Sequence, residues 1–79
     1  MRLDELKSGQ WAAITGVSMD APGRRRLLEM GLTMGTPVRL CGHAPFGDPI
    51  WLYVRGGYLT MRKNQARAIR VRLLEENPS

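Results

Sequence analysis

The sequence predicts a mostly β domain, a small closed barrel of about five short strands with one or two short helices. Three observations carry this. Ile50, Leu52 and Val54 alternate with Trp51, Tyr53 and Arg55, and beyond Gly56-Gly57 the run Tyr58-Leu59-Thr60-Met61-Arg62 turns Leu59 and Met61 inward, which is a hairpin pattern. Short strand-like runs recur near residues 10–17, 36–43 and 69–73, and a thin sheet protects its edges best by closing on itself. The amphipathic segment from Arg24 to Met30 is short and stops at Gly31.

Taken in chain order, Leu3-Asp4-Glu5-Leu6 suits a single helical turn, ended by Ser8-Gly9. Gln10 to Val17, with its β-branched and aromatic residues, is the first strand. Met19-Asp20-Ala21-Pro22-Gly23 is a breaker cluster before the helix. Gly31 falls where a helix stop requires positive φ, so that Leu32 can pack back on Leu27 in a Schellman turn. From Thr36 a second strand puts Val38 and Leu40 on one face and Arg39, Cys41 and His43 on the other. The hairpin follows. Asn64 is positioned to cap a brief turn through Gln65-Ala66-Arg67-Ala68, and Ile69, Val71 and Leu73 alternate with Arg70 and Arg72 as the last strand.

A chain of 79 residues makes one domain, expected over 1–74 with a flexible tail at 75–79. Folding at this size removes only roughly 60% of the unfolded chain's surface from water, so each large apolar side chain has structural work. The single cysteine, Cys41, cannot form an internal disulfide, which favours a reducing compartment and hence the cytoplasm. Asp4 and Glu5 follow Met1-Arg2 where a signal peptide would be apolar, and no run is long enough to cross a bilayer, so direct membrane insertion is not expected. The net charge of +5 admits nucleic acid, anionic lipid or an acidic protein surface as partner. The arginines come in separate groups, Arg24-Arg25-Arg26, Arg62-Lys63 and Arg67, Arg70, Arg72, which only folding can merge.

Cys41 and His43, two apart on a strand, with Asp48 from the next loop, are the one conceivable metal group. A zinc or iron site needs about three or four ligands, and the chain has no second His or Cys. No metal site and no cofactor are expected. The same Cys-His pair is the sole candidate for nucleophilic catalysis and lacks an evident orienting group, and no glycine loop carries the Lys-Ser/Thr of a phosphate-binding loop. An enzyme is not expected. Arg24, Arg25 and Arg26 suit phosphate contact, an arginine finger for a partner hydrolase, or a solvated helix face. Trp51, Tyr53 and Arg55 suit base stacking, as in an RNA-binding barrel, or a second minor core under the helix. Leu27, Leu28 and Met30 crowd a helix whose buried face holds about two of them, and any remainder forms an apolar spot rimmed by arginine, the anatomy of a protein-protein site.

The run Arg25-Arg26-Leu27-Leu28-Glu29-Met30-Gly31-Leu32-Thr33-Met34-Gly35-Thr36-Pro37-Val38, with Ala44-Pro45-Phe46-Gly47-Asp48-Pro49-Ile50 and Leu59-Thr60-Met61-Arg62-Lys63-Asn64-Gln65-Ala66, closely resembles the FeoA family. Leu3 to Gln10 and Ala68 to Val71 fit the same pattern, so the match covers nearly the whole chain. Trp11 and Trp51 stand where the family usually has smaller residues and Phe46 where leucine is common, changes that alter the surface and leave the turns intact. The resemblance implies an SH3-like barrel in the bacterial cytoplasm that works with the FeoB-type ferrous iron transporter, a membrane protein with a cytoplasmic GTP-binding domain. A related domain ends metal-dependent repressors, whose helix-turn-helix this chain lacks. The expected partner surface is the helix and its turn (Arg24, Arg25, Arg26, Leu27, Leu28, Met30) flanked by the loop carrying Pro45, Phe46 and Asp48, meeting the transporter's GTP-binding portion or a membrane-proximal surface.

Overall fold

The structure is a computed structural model and describes residues 1–75. The tail expected from residue 75 therefore lies, Glu75 apart, outside the described residues. After a 3-10 turn, Leu3–Glu5, the chain runs β1 (Trp11–Val17), α1 (Arg24–Glu29), β2 (Pro37–His43), β3 (Ile50–Val54), β4 (Gly57–Met61), α2 (Lys63–Ala66) and β5 (Ile69–Leu74). The five strands form one antiparallel sheet in the order β4-β3-β2-β1-β5. The expected mostly β architecture with two short helices is thus present. The sheet is not closed by strand pairing as expected: among the described residues β4 and β5 do not pair, and both remain sheet edges. The helical turn of α2 leads from one edge to the other and inserts Ala66, fully buried, into the core.

One face of the sheet carries that core. Ile14, Val38, Leu52 and Ile69 are each at most 1% exposed, and Leu3 and Leu27 pack against them from the N-terminal turn and from α1. Leu73, also expected to point inward, is 42% exposed, because β5 is an edge with no neighbouring strand to cover its end.

α1 ends as its sequence dictates. The Leu32 N–H donates to the Leu27 carbonyl (3.1 Å) and the Gly31 N–H to that of Leu28 (3.0 Å), the two bonds of a Schellman motif. Gly31 has φ +96° and Leu32 is fully buried in the same cluster as Leu27. The turn therefore aims the chain into β2 and seals one end of the core.

Two local details depart from simple alternation. The hairpin turn is Arg55-Gly56, not Gly56-Gly57: both residues have positive φ (52° and 82°), and Val54 faces Gly57 across its mouth. Moving the turn by one residue shifts the pairing by two, which keeps the same faces inward. The adopted register pairs Ile50 with Met61 and sets Tyr53 against Tyr58, ring centroids 5.1 Å apart. In β2 a bulge lies between Leu40 and Gly42. Gly42 then faces Trp51, whose ring lies so close that a Cβ there would stand 3.0 Å from Trp51 Cε3.

Candidate functional site

The interaction surface expected from the sequence centres on α1, and the fold divides its residues sharply. Leu27 is 2% exposed and belongs to the core, while Leu28 and Met30 are half-buried. Six residues make less than two turns, so only one apolar side chain of the helix reaches the core fully. Met30, Arg26 and Leu27 line one wall of a cleft of about 270 Å³ whose other wall is Thr60, Met61 and Gln65.

The three arginines have different surroundings. Arg25 Nε lies 3.3 Å from Glu29 Oε1, one turn on, in an ion pair fully open to solvent and hence of little energetic weight. Arg24 is half-buried, and its Nε is buried without a protein hydrogen-bond partner among the described residues. Arg26 is exposed beside the cleft. Arg26 and Met30, four residues apart, therefore share the side of α1 that faces the cleft, with the buried Leu27 at its floor, whereas Leu28, two residues from each, lies on another side of the helix.

The loop from Pro45 to Pro49 holds Phe46 fully exposed at its tip. It is closed by a bond from the Gly47 N–H to the Ala44 carbonyl (2.7 Å). Asp48 Oδ1 accepts from the Lys63 N–H (3.1 Å), so the loop is fastened to the first turn of α2. The same turn is capped by Gln65, whose Oε1 accepts from the Arg62 N–H (3.3 Å), and not by Asn64 as the sequence suggested. The segment from Thr60 to Gln65 thus supplies both a wall of the cleft beside α1 and the anchor of the loop. Asp48→Ala should cost about 0.5–1 kcal/mol in urea unfolding, as for loss of a helix cap, and should speed amide exchange at Lys63.

The proposed stacking face is rearranged. Arg55, placed in the turn with positive φ, leaves Trp51 and Tyr53 and lies over Gly31. Tyr53 instead touches Tyr58 and, edge-on at 6.0 Å between centroids, Trp11. Nor do these aromatics build a second core under α1, which packs on the opposite, inner face. Trp51 is 43% and Tyr58 76% exposed, and with Cys41, Leu59 and Thr60 they line an apolar groove of about 650 Å³. Sequence reasoning missed this groove, because it is made by residues of three strands whose register the sequence does not show.

The bulge also separates the metal candidates. His43 now pairs with Ile50, on the other row from the Gly42–Trp51 pair, and its Nδ1 lies 2.8 Å from the Ala44 carbonyl oxygen. Among the described residues no three His, Cys, Asp or Glu side chains gather as a metal site would require. The scattered arginines merge only in part. Arg67 and Arg70 meet Arg2 around a cleft of about 400 Å³, where Asp4 holds Arg2 Nε at 3.1 Å and lies 3.9 Å from Arg67 Nε.

A small barrel of this topology with a rigid Gly-Leu turn and a fastened Pro-Phe-Gly-Asp-Pro loop has relatives. The sequence model of the FeoA domain matches residues 1–73. The chain belongs to the FeoA family. Among its relatives is a Porphyromonas gingivalis protein described as a fusion of Fe(2+) transport protein A with the Fe(2+) transporter FeoB, 34% identical over 77 residues. The alignment takes in 98% of this chain and 9% of that much longer relative. The solution structure of FeoA from Chlorobium tepidum superposes with a TM-score of 0.87 at 42% identity, covering 98% of this chain and 73% of that one. FeoA of Stenotrophomonas maltophilia, crystallised with zinc and described as a prokaryotic SH3 domain protein, superposes at 0.80 with 28% identity over 91% of this chain and 89% of that one. The SH3-like fold implied by the FeoA sequence pattern is therefore present. A manganese-dependent transcriptional repressor, 20% identical over 94% of this chain and 36% of its own, shares the fold alone (TM-score 0.84).

Proposed function

We propose that this FeoA domain is a cytoplasmic accessory of ferrous iron uptake that binds the FeoB-type transporter on its cytoplasmic side and supports its assembly or activity. The observation that carries this reading is the Porphyromonas relative, in which a domain alignable with nearly all of this chain is joined to FeoB in one polypeptide. Joining two modules holds each at high effective concentration for the other, which benefits modules that meet. No helix among the described residues is long and apolar enough to cross a membrane, so recruitment by the transporter is the route to it in this reading.

The docking surface in this proposal is the solvent-facing part of α1, with Arg26 and Met30 beside the cleft and Leu28 on another side of the helix, together with Phe46 at the loop tip. The half-buried apolar side chains give a small desolvated centre and the arginines a basic rim, which suits an acidic protein surface. Leu28→Arg leaves the core residue Leu27 in place and should weaken binding to the transporter's purified cytoplasmic domain at least tenfold in calorimetric titration. A folded Leu28→Arg chain that binds like the parent would remove α1 from the surface.

A further inference from the structure

β4 is an edge strand, with no neighbouring strand on its outer side among the described residues. The hairpin register decides which backbone groups are free. Val54 and Gly57 flank a two-residue turn and form a hydrogen-bonded pair, so the pairs alternate from there: Leu52–Leu59 and Ile50–Met61 are bonded, whereas Tyr53–Tyr58 and Trp51–Thr60 are not. Gly57, Leu59 and Met61 thus spend their N–H and C=O on β3. Those of Tyr58 and Thr60 point away from the sheet, and no backbone bond from elsewhere in the described residues reaches them. Just beyond, the Arg62 N–H is taken by Gln65 and its carbonyl accepts from the Gln65 N–H, which limits the open stretch.

Two clefts lie on the two faces of this same edge, and Thr60 lines both. On the outer face is the apolar groove of Trp51, Tyr58 and Cys41, about 650 Å³. On the inner face is the cleft between α1 and Met61, about 270 Å³. Successive side chains of an added strand would point alternately into one and the other. Leu59, half-buried at the inner edge of the core, would be covered by such a strand. Charge selects further. No Asp or Glu occurs between Asp48 and Glu75, while Arg55 stands at one end of β4 and Arg62 and Lys63 at the other.

We infer that β4 binds an extended segment of a partner protein by strand addition, a segment with apolar side chains at alternate positions and acidic residues at its ends. Main-chain bonds to Tyr58 and Thr60 supply the alignment and the two clefts the selectivity, as in other strand-addition complexes. The inference rests on the proposed role in binding the transporter, whose cytoplasmic domain is the source of the segment. It adds the mode of binding to the inner cleft beside α1.

The test is amide hydrogen exchange by NMR on the full chain, alone and with the purified cytoplasmic domain of a FeoB-type transporter at saturation. The Tyr58 and Thr60 amides should exchange rapidly in the free chain and slow at least tenfold in the complex, while the Leu59 amide, already bonded, changes less. Saturable binding that leaves Tyr58 and Thr60 unprotected overturns strand addition and leaves the accessory role standing. Absence of binding by the domain overturns both. Protection that rises with the concentration of the free chain alone identifies a second copy as the occupant and equally overturns the inference. Thr60→Pro, which removes an outward N–H from an edge position that tolerates proline, should weaken binding about tenfold. If that variant fails to fold, the exchange measurement on the parent chain still decides.

Discussion

Replacing Gly31 with alanine will destabilise the domain by about 2–4 kcal/mol, from left-handed backbone strain and from crowding. The residue has φ +96°, which a side chain rarely tolerates, and its Schellman bonds fix that conformation. A Cβ there would also stand 2.5 Å from Cδ of Arg55, which lies over the glycine. A domain of 79 residues has a stability of only about 4–12 kcal/mol, so the loss is a large share of the total. Urea unfolding of Gly31→Ala and of Gly31→Ala with Arg55→Ala separates the two causes. The second change should return the crowding part and leave the strain, and equal stability of the two variants would show that Arg55 moves aside freely.

Leu27→Ala should cost about 2–5 kcal/mol, the range for removing a buried leucine with incomplete collapse of the cavity. Leu27 is 2% exposed and packs in the cluster that also holds Leu32, so the variant loosens both the helix stop and the lid of the core. Its neighbour Leu28, only half-buried, should tolerate alanine with a much smaller loss in the same unfolding assay. Equal losses at the two positions would contradict the division of α1 into one core residue and an outward surface.

That division was only half legible in the sequence. The glycine stop at Gly31 and the pairing of Leu27 with Leu32 follow from local backbone chemistry, and the structure has both. The strands follow from alternation, and each is where alternation puts it within about two residues. What alternation does not contain is register. Two registers of the β3–β4 hairpin keep Leu52, Val54, Leu59 and Met61 inward, and the choice between them rests on the Tyr53–Tyr58 contact and on where Arg55 goes. That choice took Arg55 off the aromatic face and exposed Tyr58 and Thr60 along the free edge. A bulge likewise leaves little trace in composition, yet it separated Cys41 from His43 and set Gly42 against Trp51. Long-range hydrogen bonds such as Asp48 to the Lys63 N–H are equally invisible locally, since fifteen residues separate the partners. The family was readable because its spaced turns survive as a pattern, whereas the clefts on either side of β4 are made by elements distant in sequence.

The proposed role of this chain depends on its association with the transporter. Calorimetric titration of the chain into the purified cytoplasmic domain of a FeoB-type transporter, matched with titration into single-stranded RNA, tests it most directly. Saturable binding to the domain with no heat from RNA is the predicted result. Salt-sensitive binding to RNA with none to the domain would contradict it, and would mean that this basic barrel serves nucleic acid instead.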